Sequence, residues 1–390
     1  MSGAVPQLRF PGFEGDWEAQ SLEGLCSLKS GKFVSAANIR SENEDGLYPC
    51  YGGNGVRGYV SSYNTEGIFP LIGRQGALCG NVQLAAGQFY STEHALVATP
   101  KAGVDVSWLY QQLSRMNLNQ YSTGLAQPGL SVDVLNAVQT TRPKSEVEQQ
   151  KIADFLGTVD AKLDALRRKK SGLEAFKSGL MQRLFSQELR FTRDDGSEFP
   201  EWEEKTLGEL SSWSSGGTPS KENPRFWDGN IPWISASSMH DSKVYDSEFR
   251  VTSSAIGKGT RIAKKGSVLL LVRGSMLYKR IPVCVAMRDV AFNQDVKALV
   301  AQNGILPEFL FHWLIAQEAL LLSMVTGTGI GAGKLETGEI QGIIVALPHP
   351  DEQRKIADAL SAMDAKIAAV ADQITHMETF KKGLLQQMFV

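Results

Sequence analysis

Glu148 to Phe185 reads EQQKIADFLGTVDAKLDALRRKKSGLEAFKSGLMQRLF, and Glu352 to Phe389 reads EQRKIADALSAMDAKIAAVADQITHMETFKKGLLQQMF. The two stretches align without a gap at an offset of 204, so the chain contains a duplication, and everything else is read around it. In the second copy Ile356, Leu360, Met363, Ile367, Val370, Ile374, Met377, Leu384 and Met388 fall at alternating steps of four and three, with Lys381 as the polar exception. The first copy matches with Ile152, Leu156, Val159, Leu163, Leu166, Leu173, Leu180 and Leu184, interrupted by Lys170 and Lys177. This spacing is a heptad seam along a long helix. Neither run contains an internal proline; Pro143 precedes the first, and Pro348 and Pro350 lead into the second, where Asp351 stands at the expected N-cap. At 1.5 Å per residue each helix is roughly 57 Å long.

A second, shorter repeat opens the segments that flank the helices. Leu8-Arg9-Phe10, Trp17 and Leu22 return as Leu189-Arg190-Phe191, Trp202 and Leu207. The tryptophans are 185 residues apart and the helices 204, so the second intervening segment is longer by 19, and the middles of the two segments do not align. A body of about 150 residues has a radius of gyration near 15 Å and cannot readily carry the chain back along such a rod. The end of the first helix and the start of the second therefore lie together, and the helices run antiparallel. The expected architecture is α+β: β-rich domains at 1–145 and 187–350, separated by an antiparallel coiled coil of helices 146–186 and 351–390, pseudo-two-fold and quasi-circular, with Met1 to Phe10 near the end of the second helix. The competing arrangement is two separate helix-tailed modules, each of whose seams would need another partner.

Composition narrows the class. With 42% hydrophobic and 21% charged residues the chain is globular, and 390 residues suffice for two domains. No apolar run reaches the roughly 18–20 residues of a membrane span. Met1 to Phe10 lacks the basic start and apolar stretch of a secretory signal, so the expected location is the cytoplasm. Cys26, Cys50, Cys79 and Cys284 show no CxxC spacing and read as buried thiols. The five histidines form no metal-binding spacing. A net charge of −2 neither invites nor forbids nucleic acid, so the location of charge has to decide.

The intervening segments read as short strands bounded by turns, at 46–59, 67–74, 266–273 and 281–285, each domain closing with a helix near Val106 to Met116 and Pro307 to Met324. The first carries Tyr48-Pro49-Cys50-Tyr51-Gly52-Gly53-Asn54-Gly55, Leu71-Ile72-Gly73-Arg74-Gln75-Gly76-Ala77 and Thr92-Glu93-His94-Ala95; the second carries Gly217-Thr218-Pro219 and Trp227-Asp228-Gly229-Asn230-Ile231-Pro232-Trp233-Ile234. With the Glu-Gln-x-Lys-Ile opening of each helix and the tandem order, these motifs make the chain resemble, over essentially its whole length, the specificity subunit of type I restriction-modification systems. The two recognition regions resemble different classes. The resemblance implies a non-catalytic subunit whose two target-recognition domains each read one half of an asymmetric bipartite sequence in double-stranded DNA, with the helical pair setting the gap. It implies two modification subunits docked on the helices, carrying S-adenosylmethionine and adenine methylation, and restriction subunits that add ATP- and Mg-dependent translocation and cleavage; no cofactor is expected in this chain.

Charge agrees on the second side. The stretch from Phe249 to Arg288 has no acidic residue and holds Lys258, Arg261, Lys264, Lys265, Arg273, Lys279 and Arg280, a run that phosphates attract. Lys221, Arg225 and Lys334 join them as candidate contacts. The nearly balanced first region would rely on Asn54, Arg57, Arg74, Gln75 and Gln127, whose side chains suit base edges. The competing reading of the basic stretch is a solvated surface, and Tyr51, Trp227 and Trp233 read as core residues before base-stacking ones.

Three motifs invite catalytic readings. Asn223-Pro224-Arg225-Phe226 resembles the tetrapeptide of adenine methyltransferases, but arginine replaces the second proline and no glycine motif precedes it. Gly327 to Lys334 lacks the glycine and the Ser or Thr of a phosphate loop. Pro350-Asp351-Glu352 followed by Lys355 has the letters of a nuclease site at a helix start, where its carboxylates are expected to face solvent. A stand-alone methyltransferase or nuclease and a coiled-coil scaffold remain the competing functions.

Overall fold

The computed structural model describes residues 5–76, 78–124, 128–329 and 331–390. Two compact units make up the chain, one of Met1–Lys169 with Val370–Val390, the other of Lys170–Ala369. Each contains β-sheet, short helices and part of both long helices, which run over Glu146–Phe185 and Pro350–Met388.

In the first unit a six-stranded sheet has the order Cys26–Ser30, Ala95–Pro100, Thr65–Gly73, Val82–Ser91, Tyr48–Gly52, Gly55–Val60. Its pairings are antiparallel except where Cys50 and Tyr51 run parallel to Tyr90 and Ser91. The helix Val106–Arg115 starts at Asp105, whose carboxylate accepts the Trp108 amide at 2.8 Å. It covers the sheet with Trp108, Leu109 and Leu113, fully buried with Trp17, Leu22, Leu156 and Met388 in one core. The rings of Trp17, Trp108 and Phe389 close that core at centroid distances of 5.9 to 6.4 Å.

The second unit distributes its strands differently. One sheet orders Ser211–Ser215, Val296–Ala301, Val268–Leu271, Val283–Ala286 and Lys243–Val244; another orders Arg250–Val251, Trp227–Ile234, Val290–Phe292 and Arg261–Ala263. Val268 to Leu271 is buried at every position, as a strand covered on both faces must be. The closing helix, Pro307–Ala316, has proline at its first position and buries Phe309, Leu310, His312, Trp313 and Leu314.

Within each unit the long helices run antiparallel. In the first, Asp160 pairs with Lys381 at 2.6 Å and, further along, Arg167 pairs with Glu378 at 2.7 Å; in the second, Lys177 pairs with Asp364 at 2.5 Å. The seam residues are buried except Leu173, Leu180, Ile367, Ile374 and Met377, which are half-buried. The Leu8 amide donates to the Gln387 carbonyl at 2.9 Å, so the expected approach of the amino-terminal stretch to the end of the second helix is found.

The repeated Arg, Trp and Glu-Gln letters turn out to be one device used twice. Glu148 is 2% exposed and receives Arg9 at 2.7 and 3.0 Å and the Trp17 indole at 3.3 Å. Glu352, fully buried, receives Arg190 at 3.2 and 3.0 Å and the Trp202 indole at 3.0 Å. Gln149 accepts the Asp105 amide and donates to the Gly103 and Pro143 carbonyls; Gln353 does the same with Leu306, Gly304 and Pro348. Glu352 therefore does not face solvent as the sequence reading expected: a carboxylate with three charge-assisted or indole donors can be withdrawn from water. The N-cap expectation also shifts. The helix begins at Pro350, and His349 Nδ1 accepts the Asp351 amide at 3.2 Å, leaving Asp351 exposed in the first turn.

Candidate nucleic-acid interface

In the first unit three separate sequence motifs converge. Tyr48–Gly52 and Gly55–Val60 form a hairpin whose two-residue turn is Gly53-Asn54, with Gly55 at a φ of +96°. Its tip lies on the strand end at Gly73, where a Cβ would sit 2.0 Å from the Gly53 carbonyl oxygen, so only glycine permits the approach. Beyond Gly73 the chain is held on both sides: the Arg74 amide donates to the His94 carbonyl, the Leu130 amide to the Arg74 carbonyl and the Gly76 amide to the Pro128 carbonyl. The result is an open cavity of about 520 Å³ lined by Asn54, Arg57, Gln75, His94 and the backbone of their glycine neighbours.

Three of the candidate residues, Asn54, Arg57 and Gln75, thus share one cavity and are exposed. Asn54 Oδ1 accepts from Asn81 at 3.0 Å, which fixes the orientation of its amide. Arg74 is half-buried beside them and donates to Ser30 Oγ at 3.3 Å. Gln127 lies outside the described residues. In the sequence His94 stands out only as part of a motif; its place in the cavity, 3.3 Å from Glu93 Oε1, depends on the hydrogen bond between its carbonyl and the Arg74 amide. Tyr51 packs edge-on against Phe89 at 5.4 Å and is not a free stacking face.

The second unit builds its loops by other means. Trp227–Ile234 is bulged: Trp227 and Ile231 both oppose Val251, with Asp228 at a φ of +58°. At Gly229 a Cβ would lie 2.4 Å from the Val251 carbonyl oxygen, which explains the glycine of that motif. Trp233 Nε1 donates to the Gly217 carbonyl and Trp227 Nε1 to the Ser220 carbonyl, both at 3.0 Å, so the two indoles hold the loop; Trp233 is buried, and Trp227, half-buried, packs edge-on to it at 5.4 Å. Gly217 packs so tightly that a Cβ would lie 2.3 Å from the Gly259 carbonyl oxygen. Exposed Lys258 and Arg261, flanking Gly259-Thr260, are thereby set beside the Gly217-Thr218-Pro219 loop.

The remaining basic candidates divide by what they touch. Lys221, Arg225, Lys265 and Lys279 are exposed. Arg225 belongs to a short turn capped by Asn223, and its carbonyl accepts from Thr252 and Ser254, so the tetrapeptide has a structural use. Arg273 and Lys334 are cross-strand partners, and Lys334 is engaged by Glu336 at 2.5 Å. Lys264 pairs with Asp289 at 2.7 Å; that hydrogen bond and the Lys265 amide hold the Asp289 carboxyl below its ordinary range. Arg280 is half-buried and donates to the Met239 carbonyl at 3.1 Å. Among the described residues no group of three or more His, Cys, Asp or Glu side chains is placed to hold a metal ion. None of the described helices is long and apolar enough to cross a membrane.

The family model described as Type I restriction modification DNA specificity domain matches residues 14–175 and again residues 200–378. The Escherichia coli type I restriction enzyme EcoprrI specificity subunit is 44% identical over 154 residues, which are 39% of this chain and 38% of that protein. A second Escherichia coli type I restriction enzyme specificity subunit is 30% identical over 174 residues, 44% of this chain and 43% of that protein. Both matches span less than half of the relative's own length. The crystal structure of a type I restriction-modification system S subunit from M. genitalium has a TM-score of 0.66 at 18% identity, covering 99% of each chain, a likeness of fold.

Proposed function

We propose that this chain, which belongs to the type I restriction modification DNA specificity family, is the DNA-reading subunit of a type I restriction-modification complex and contributes no catalytic centre of its own. The observation that carries this reading is that one DNA-specificity pattern matches twice, at 14–175 and 200–378, on two units that share a frame and differ in their sheets. Residues 1–145 and 187–350 would be the two readers, each taking one half of an asymmetric bipartite site in double-stranded DNA. Helices 146–186 and 351–390 would be the spacer that sets the gap and the surface on which two modification subunits dock. S-adenosylmethionine belongs to those subunits, and ATP and Mg to restriction subunits where they join; the setting is the cytoplasm.

In this reading Asn54, Arg57 and Gln75 present donors and acceptors to base edges from a preformed cavity, while Lys258 and Arg261 attract phosphates. Arg57 and Gln75 are the residue types that read guanine and adenine in the major groove. The purified chain given labelled S-adenosylmethionine and DNA should transfer no methyl group, and should direct methylation once a modification subunit is added. Methylation or cleavage by the chain alone would overturn the proposal. Inserting one heptad into both long helices lengthens the spacer by about 10.5 Å and should widen the mapped gap by roughly three base pairs with the half-sites unchanged.

A further inference from the structure

Two lysines interrupt the apolar seams at corresponding places, Lys177 and Lys381, 204 residues apart. Each meets an aspartate of the opposite helix that is duplicated at the same offset. Lys177 Nζ is 2.5 Å from Asp364 Oδ1, and Lys381 Nζ is 2.6 Å from Asp160 Oδ1. The first pair lies wholly in the unit Lys170–Ala369 and the second wholly in the other. The lysine side chains are only 13% and 15% exposed and their aspartates 33% and 29%, less than surface pairs on the same helices such as Arg167 with Glu378, at 55% and 50%. Asp160 is fixed further by Gln111, which donates to its Oδ2 at 2.8 Å.

An apolar heptad seam does not by itself choose a register, because sliding one helix by seven residues, about 10.5 Å, restores apolar contact along most of its length. A polar pair inside the seam does choose, since a misplaced charge there loses both water and partner. Sliding one way sets Asp364 against Lys170 but Lys177 against Ala357, Lys381 against Ala153 and Asp160 against Ile374; Ala153 and Ala357 are both 3% exposed. Sliding the other way sets Lys381 against Arg167, Asp160 against Met388 and Asp364 against Leu184. Both shifts take the two half-buried lysines off their aspartates, and the second also brings two cations together.

We propose that the pairs Lys177–Asp364 and Lys381–Asp160 are the register lock of the antiparallel helices and, resting on the spacer reading above, the residues that determine how many base pairs separate the half-sites. They are positioning residues and touch no DNA.

The test uses the full chain with spin labels on Ser171→Cys and Asp358→Cys, two exposed positions of one unit on opposite helices. The native cysteines are buried, and burial pushes the Cys26 and Cys284 thiols up to about 12, which keeps them from reacting at neutral pH. Asp160→Lys with Asp364→Lys should abolish the single native label distance, either by a shift of about 10 Å or by loss of the helix pair. Adding Lys177→Asp with Lys381→Asp inverts both pairs and should restore the native distance. A native distance in the four-lysine chain overturns the lock, and so does failure of the inverted chain to recover it. The gap is then mapped by methylation in the reconstituted complex. A shifted label distance with an unchanged gap would keep the lock and remove the spacer reading, so the two ideas fail separately.

Discussion

The starts of the two long helices are built alike, down to the two-stranded antiparallel sheet that leads into each, while the larger sheets of the two units are not. Glu148 with Arg9 and Trp17, and Glu352 with Arg190 and Trp202, make the same buried cluster, and Gln149 and Gln353 make the same three hydrogen bonds. Beyond that shared two-stranded sheet the first unit carries a six-stranded sheet, the second a five-stranded, a four-stranded and a three-stranded one. Even shared features are reached from different letters: the sixth residue of the closing helix is Gln111 in one unit and His312 in the other, both buried. A frame repeated in this detail serves a task performed twice, and loops that share no pattern serve tasks performed once each. That division fits the proposed reading of two different half-sites from one repeated frame.

The largest expected effect tests whether the frames are equivalent. Arg9→Met and Arg190→Met each strand a buried carboxylate, which costs about 3–5 kcal/mol. Hydrogen exchange, read separately at residues 149–156 and 353–360, should show equal loss of protection for the two variants, each confined to its own helix start. Protection lost at only one of them would break the equivalence. A chain of two units need not unfold in a single step, so a global melt is the weaker measurement.

A smaller effect should separate the units by pH. Burial, reinforced by the Lys177 charge and opposed by Asp364, lowers the His312 pKa to about 4, and among the described residues only Nε2 has a partner, Ser361 Oγ at 3.1 Å. Between that value and an unfolded pKa near 6.5 the unfolded chain binds a proton that the folded chain does not. Stability of the second unit is therefore lost as pH falls through this window, by up to about 1.4 kcal/mol per pH unit. His312→Gln, which copies the first unit, should remove that slope relative to the parent chain; identical pH profiles for parent and variant would show that the histidine is not held neutral.

The smallest effects concern the readers. In the assembled complex Arg57→Ala should weaken binding by about 1–3 kcal/mol and relax the choice of base at one position of one half-site. Lys258→Ala should weaken all sequences alike by less, and should lower the salt dependence by about one counterion. Selection from a randomised DNA pool at two salt concentrations distinguishes them. If Arg57→Ala behaves as Lys258→Ala does, the cavity binds backbone and the base-reading role moves elsewhere.

Much of the frame is legible in the sequence. The seams, their antiparallel run and the return of the amino-terminal stretch to the second helix follow from period and connectivity. Arg9, Trp17, Arg190 and Trp202 were visible as recurrences, yet their common target was not, because Arg9 and Glu148 are 139 residues apart and no local rule joins them. The same ignorance put Glu352 in solvent, where an unpartnered carboxylate belongs. For the candidate interface the letters name Asn54, Arg57 and Gln75 by side-chain type and Lys264, Arg280 and Lys334 by charge, yet those three cations have partners within the chain.

Duplication, helical period, the polar breaks at Lys177 and Lys381 and the unlike middles are properties of the letters in order, since each depends only on spacing along one chain. Which aspartate answers each lysine, which carboxylate goes inside, and which three distant loops close around one cavity depend on how the backbone returns on itself. Those contacts exist only after folding, when desolvation makes a buried charge choose a partner that sequence distance never indicated.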